Sequence, residues 1–498
     1  CIRFFLRIYH HTLDCLFAQF SRKHVQPVYL LPVLGGKMKK YLKIAFCILI
    51  FGTSLIPLFG TVIGFDSLNL DKSALSPMPA LIENNKINTK YTSQFDDFYT
   101  DQFSFRTYLI TAYNQIYAHL FRQSGNDNVI VGKEGFLYFA ETLDDYLKVN
   151  QLSDYDLLRL NEVLRIQQKY LQSEGIESHF VIVPNKATIY PEFMPSFVKP
   201  IGTQSNLDRI SEMNLNMSFI DLKEELMKQK SVSKEWFYHR QDSHWNNLGA
   251  VVGYDQIMKF LNKESLGLTQ QPSVEKYDWQ GDLARMYYPS KSTLDQQFYF
   301  KLPGQFTFTK AIRTLEDLQI ESVNASKEGS LFMFRDSFAN ALIPFISESF
   351  KQVNYSRLFP YDYTKIDTVR VEHLIIEIAE RNVNWLLQAT PILPSTGEAI
   401  EMDATSTISL DLTVKQEKKS DLFYLNARFI DQKMSEKITA VRLLDGNIGY
   451  EAFPIYQDTD FEDEILELGF SIYTKEELNP ETMTVYVLMD NQWFKINK

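Results

Sequence analysis

The sequence predicts an α/β chain: a central domain with a mostly parallel sheet, one membrane-spanning helix before it and a small β-sandwich after it. Three observations lead there. Residues 44–65 form an uncharged apolar run, residues 153–388 alternate between helical and strand periodicity, and residues 406–498 carry short β-rich runs separated by turn signals.

The apolar run Ile44 to Phe65 would span roughly 33 Å as a helix, enough to cross the hydrocarbon layer. Lys39, Lys40 and Lys43 precede it and Asp66 follows, so the positive-inside rule leaves the N-terminus in the cytoplasm and exports the rest. No small-residue cleavage site follows the run, which favours an uncleaved signal anchor over 38–65. Residues 1–37 are expected to be either an over-extended reading frame or a cytoplasmic tail. Met38-Lys39-Lys40 looks like a start, and Gly35-Gly36-Lys37 looks like a translated purine-rich ribosome-binding site. Residues 66–90, with Pro77 and Pro79 and no clear period, are expected to be a juxtamembrane linker.

Apolar residues at Leu157, Leu158, Leu160, Val163, Leu164, Ile166 and Leu171 predict a helix over 153–173, feeding a buried strand at His179 to Pro184. The alternation continues with a strand at Met217 to Leu222, a helix at Asn247 to Leu261 and a strand at Leu331 to Phe334. A helix from Phe338 to about Phe350, a strand at His373 to Ile378 and a helix at Asn382 to Gln388 complete it. Such alternation implies a sheet covered on both faces, with sites at the carboxyl ends of its strands. The domain is expected over 91–390 and a linker over 391–405, where Pro391, Pro394 and Gly397 gather. In residues 406–498, the runs Ile408–Val414, Leu422–Ile430, Ala440–Leu444 and Met483–Leu488, with Asp445-Gly446 as a hairpin signal, suggest the sandwich.

The net charge of -11 argues against nucleic acid as a partner. Cys1, Cys15 and Cys47 are the only cysteines, so no disulfide framework or cysteine-based zinc site can form beyond residue 65.

Two segments carry candidate chemistry. Asp242 and His244 are two apart, just before a helix; in an extended segment the carboxylate would face the ring and fix its tautomer. Ser337 lies between a buried strand and a helix, where a turn would expose its hydroxyl and a helix N-terminus would face a developing oxyanion. Nucleophile, base and orienter are thus available, although an Asp-x-His pair is often only a turn, and a serine before a helix only a cap. A metal site at His239, Asp242 and His244 lacks obvious further ligands, so neither metal nor cofactor is expected.

Asp242-Ser243-His244-Trp245-Asn246, Phe334-Arg335-Asp336-Ser337-Phe338, Pro184 to Glu192 and Val131 to Leu137 resemble the SGNH hydrolase-like domain of the alginate O-acetyltransferases. Gln280 to Leu283 and Glu377 to Asn382 resemble further stretches, and together the pieces cover about 90–390 in the family's order. The resemblance implies a three-layer SGNH-like fold with Ser337 as nucleophile, His244 as general base and Asp242 as its orienter. Arg335 stands where the family commonly has Gly, which bears on the oxyanion geometry. Tyr190, Lys186, Asn340, Arg381 and Arg335 are the further candidates for sugar contact or oxyanion support. The implied activity is transfer of acetyl, through an acetyl-serine, onto a cell-surface polysaccharide, with a multi-pass membrane-bound O-acyltransferase supplying the acetyl. A polysaccharide acetyl esterase and a non-catalytic glycan-binding scaffold are the alternatives.

Overall fold

The computed structural model describes residues 76–497, apart from short stretches at 84–85, 122–123, 292, 367–370, 400–401, 403–405 and 459–465, together with scattered positions between 41 and 63. Most of the expected membrane span therefore lies outside the described residues. Its described positions up to Gly60 are helical, and Ile48, Phe51 and Phe59 among them expose their side chains. No helix of the described residues is long and apolar enough to cross a membrane.

The chain divides into two compact units. In the first, which runs to Asp127 and includes Ala284–Thr293, helices Tyr91–Gln102 and Arg106–Phe121 are described. Asn114 exchanges hydrogen bonds with Tyr287, its amide donating to the Tyr287 carbonyl and its own carbonyl accepting the phenol.

The second unit holds Asn128–Leu283 and Leu294–Lys498. Helix α1 (Asp154–Ser173) begins at a reciprocal cap in which Ser153 and Asp156 each accept the other's backbone N–H. Its predicted apolar face is buried, except that Leu158 points to solvent. The next elements are β1 (Glu177–Val183), β2 (Ser218–Asp221), α2 (Leu222–Val232) and α3 (Asn247–Phe260). A ribbon of β3 (Val274–Trp279) and β4 (Asp295–Tyr299) precedes β5 (Thr307–Phe308), β6 (Gln319–Val323) and β7 (Ser330–Phe334). Helix α4 (Ile343–Ser347), β8 (Gln352–Ser356) and β9 (His373–Ala379) follow.

The seven-stranded sheet runs β2-β1-β9-β7-β8-β6-β5. The first five strands are parallel, and β6 runs antiparallel to both its neighbours, β8 and β5. Strand periodicity sorts the two faces. Val181, Val183, Leu331, Met333 and Ile375 join the core that contains Trp245 and Phe338. Their neighbours Phe180, Ile182, Phe332, Phe334, Leu374 and Ile376 join the core under α1.

Where a helix was expected from Phe338 to Phe350, a 3₁₀ turn at Phe338–Ala341 gives way to the short α4. Pro344 opens that helix, a place where its missing N–H costs nothing, but it cannot sit inside a longer one. The helix expected at Asn382 to Gln388 is a 3₁₀ segment, Glu380–Leu387.

The C-terminal region is β-rich: β10 (Ser406–Ser409), β11 (Leu412–Lys419), β12 (Leu422–Phe429), β13 (Ile438–Asp445), β14 (Ile448–Asp458), β15 (Leu466–Thr474), β16 (Thr484–Met489) and β17 (Gln492–Asn497). The first half of β14 pairs with β13 and the second half with β15, so one strand serves two sheets whose inner residues share one core. Gly446, at φ +60, turns the hairpin signalled by Asp445-Gly446. The segment expected as a linker adds to these sheets, for Pro394–Ser395 pairs with β15 and Glu398–Ala399 with β14. Arg159 of α1, buried, donates to the carbonyls of Glu436 and Ile438 and fastens the β-rich region to the helix.

Candidate active site

The loop 239–244 is pinched at its base, where Tyr238 bridges Trp245 and the Asn246 side chain caps α3 by accepting from Leu248 and Gly249. Lys186 holds the loop from beneath. Its ammonium donates to the carbonyls of His239, Arg240 and Asp242 at 3.1, 3.2 and 2.6 Å. Within the loop, Asp242 Oδ1 accepts both the backbone N–H of His244, at 3.0 Å, and its Nδ1, at 2.7 Å. The pairing foreseen from an extended segment thus arises from a side-chain-to-backbone turn.

Ser337 follows β7 in a helical conformation (φ -73, ψ -21), and its Oγ lies 2.8 Å from His244 Nε2. Asp336 fixes this turn. One of its oxygens accepts from Phe338 N, the other from Ala379 N and Asn382 Nδ2, and its own N–H donates to the buried Glu377. Trp245 ties the two segments together by donating its indole N–H to the Phe338 carbonyl at 2.8 Å. The Phe338 ring packs 4.8 Å from the His244 ring.

The second oxygen of Asp242 accepts from Trp279 Nε1 at 2.9 Å and from Asp282 N at 3.0 Å. Asp282 in turn accepts the N–H and hydroxyl of Ser243. Gly281 makes this approach possible, since a Cβ there would sit 2.0 Å from the Gln241 carbonyl. Neither Trp279 nor Asp282 was singled out from sequence as a site residue.

Electrostatics follow the geometry. Burial opposes charge on His244, but the hydrogen bond and charge of Asp242, helped by Asp282, overcome it and raise the imidazole above its ordinary value. Burial would likewise raise Asp242, yet the His244 bond holds it well below the usual carboxylate range. Asp282 is raised by burial and by repulsion from Asp242.

Atoms of Asp242, His244 and Asp282 lie within 4.8 Å of one another, as metal ligands would. Both oxygens of Asp242 and both of Asp282 already accept hydrogen bonds from N–H or O–H groups, the arrangement of an orienting network. His239, the other histidine considered for a metal, instead stacks on the Trp279 ring, 4.9 Å away and nearly parallel.

Of the further candidates, three are internal. Tyr190 is fully buried among Phe136, Trp236 and Tyr238, and its hydroxyl accepts Phe237 N at 2.9 Å, so it packs the core and offers a sugar nothing. Lys186 is buried under the loop it holds, and burial lowers it to about 8. Arg335, also buried, donates to the Leu315 and Asp317 carbonyls and to Asn340 Oδ1, so the residue in the family's usual glycine position anchors a neighbouring loop. The other two remain at the site. Asn340 keeps its amide nitrogen unengaged among the described residues, and Arg381 rests between the rings of Phe139 and Phe338 at 5.6 and 5.2 Å.

Residues 129–332 match the family model described as the SGNH hydrolase-like domain of acetyltransferase AlgX. A probable alginate O-acetylase AlgJ of Pseudomonas fluorescens is 25% identical over 241 residues, which is 46% of this chain. The chain spans 58% of the length of that curated relative. Among solved structures, Bacillus cereus PatB1 is 16% identical with a TM-score of 0.41, covering 51% of this chain and 96% of its own. The O-acetyltransferase domain of Pseudomonas putida AlgJ is 14% identical with a TM-score of 0.35, covering 51% of this chain and 92% of its own. Over residues 129–332 the chain is thus similar to the SGNH hydrolase-like domain of acetyltransferase AlgX.

Proposed function

We propose that this protein is a serine-dependent O-acetyltransferase that acetylates hydroxyls of a polysaccharide outside the cell. The observation that carries the reading is the continuous array Asp242–His244–Ser337, with contacts of 2.7 and 2.8 Å.

His244 Nε2 removes the Ser337 proton as Oγ attacks the carbonyl carbon of the donor acetyl. The resulting imidazolium faces Asp242, which keeps Nδ1 protonated throughout. The oxyanion is received by the Ser337 N–H, which has no partner among the described residues, and by the Asn340 amide. Collapse of the tetrahedral intermediate expels the donor's leaving group, which takes the proton from His244, and leaves acetyl-Ser337. An acceptor hydroxyl then loses its proton to His244 and attacks the ester. Ser337 recovers that proton as acetyl departs on the sugar. The donor is a multi-pass membrane-bound O-acyltransferase, and the uncharged run Ile44 to Phe65, flanked by Lys39, Lys40 and Lys43, is the anchor that keeps this domain outside and beside it.

The test is to incubate the full chain, extracted from membranes, with p-nitrophenyl acetate and candidate cell-surface oligosaccharides. Mass spectrometry should find acetyl on the peptide containing Ser337 and on the oligosaccharide, and neither with Ser337→Ala. Acetyl-serine without any acetylated sugar, together with rapid release of acetate from acetylated polymer, would make the protein an esterase.

A further inference from the structure

We infer that Trp279 forms a sugar-stacking platform for the acceptor beside the triad, while its N–H holds Asp242. The inference rests on the acetyltransferase reading above and names the acceptor chemistry at that site: a pyranose ring presenting its apolar C–H face.

The ribbon of β3 and β4 is built to aim this side chain. Tyr277 pairs with Gln296 and Trp279 with Asp295, so Asp278 is an extra residue in β3. Partners across a ribbon lie on the same face, and neighbours along a strand lie on opposite faces. Were the ladder regular, with Asp278 paired to Asp295, Trp279 would share the outward face of Tyr277, which is 58% exposed. With the extra residue, Trp279 turns to the face of Asp295, which is 2% exposed. A bulge re-aiming a side chain next to a site is a recurrent use of the motif.

Once turned, the indole is fixed on two sides. His239 covers one face, 4.9 Å away at an interplanar angle of 4°, and Asp242 Oδ2 takes the N–H at 2.9 Å. The residue is nevertheless 38% exposed. Since one face and the N–H edge are covered, the exposed area belongs to the opposite face and the outer edge. An indole whose polar atom is satisfied and whose apolar face is open needs an apolar ligand surface that can lie flat on it, and the C–H face of a pyranose is such a surface. Three consecutive hydrogen bonds lead from this ring through Asp242 and His244 to Ser337 Oγ. A glycan lying on the ring therefore reaches the reacting serine within a few sugars, and fixing it there favours the sugar hydroxyl over water.

The two roles of Trp279 separate by substitution. Trp279→Phe and Trp279→Ala both remove the N–H, but only the first keeps an aromatic face. The full chain is assayed with p-nitrophenyl acetate, alone and with oligomers of N-acetylglucosamine or mannuronate, after circular dichroism verifies that each variant is folded. Without oligomer, the two variants should hydrolyse the ester at rates reduced alike. With oligomer, the concentration that half-diverts acetyl to the sugar should stay near wild type in Trp279→Phe and rise about tenfold or more in Trp279→Ala. Equal half-saturation in both variants and wild type overturns the platform, as does an absence of diversion by every oligomer in a wild type that hydrolyses the ester through Ser337. Turnover that survives Ser337→Ala overturns instead the serine reading beneath it.

Discussion

Asp242→Asn tests the orienting network because the replacement amide must point one way or the other. With its nitrogen toward Trp279 Nε1 and Asp282 N, two buried donors face a third, at about 1–3 kcal/mol each. With its nitrogen toward His244, only the His244 backbone N–H is opposed, and Nδ1 can become the acceptor. The second arrangement costs less by one lost bond, so the amide should settle there. The imidazole then carries its proton on Nε2, facing Ser337 Oγ, where it cannot act as a base. Loss of kcat for aryl acetate hydrolysis should be about 10⁴-fold, with little change in KM. The structure also predicts a coupling. Trp279→Phe removes one of the two donors that force the amide around, so Asp242→Asn should cost about tenfold less in that background. Steady-state kinetics of the four proteins across pH 6–9 measures both effects. In wild type the rate should rise through a value above the ordinary imidazole pKa, because the base must be neutral. Losses that multiply without coupling, or near-native turnover by folded Asp242→Asn, would refute the reasoning.

Burial, and then repulsion from Asp145, raises Glu380 to about 7 from 4.5, so folding favours its neutral form and stability should fall as pH rises through that window. Glu380→Gln, which keeps an acceptor for Asn185 N and Thr188 Oγ, should flatten this slope and stabilise the protein at pH 8 by up to about 3 kcal/mol; denaturant unfolding showing the same difference at pH 5 and pH 8 would count against it. Trp245→Phe removes the bond to the Phe338 carbonyl and should lower kcat about tenfold with an unchanged KM, read in the aryl acetate assay. Arg159→Ala deprives the Glu436 and Ile438 carbonyls of a buried donor, so limited proteolysis should release the β-rich region sooner than in wild type.

The residues of the proposed triad were legible because each sits at a punctuation point of the sequence: Asp242 and His244 before the capped helix α3, Ser337 after the apolar β7. Direction was not legible. Lys186, Tyr190 and Arg335 are residue types that serve a binding site or a core equally well, and only burial shows that they support loops and packing. Trp279 and Asp282 were missed because they reach Asp242 from a ribbon without apolar periodicity, with a bulge altering which face Trp279 takes. Gly281 between them was a usable signal, a glycine where one backbone crosses close to another. Pro344 was equally readable as the reason a long helix could not follow Ser337.

The two faces of the sheet divide the work. Trp245, Phe338 and Tyr238, which frame His244, belong to the core on one face. The core on the other face takes α1 together with Phe453 and Ile455 of β14, so the β-rich region is part of the layer that faces away from the histidine loop. Lys169, Arg165 and Arg442 alternate with Glu398, Glu162 and Glu451 along that same junction: Arg165–Glu451, Lys169–Glu398, Lys169–Glu451 and Arg442–Glu162 cross it at 2.9–3.5 Å, while Arg165–Glu162 and Arg442–Glu451 pair on either side of it. Such a network draws its worth from mutual support rather than from any one exposed pair, and the buried Arg159 adds two hydrogen bonds across the same junction. The acceptor platform proposed at Trp279 then depends on the β3–β4 ribbon, while the β-rich region packs on α1 under the opposite face of the sheet.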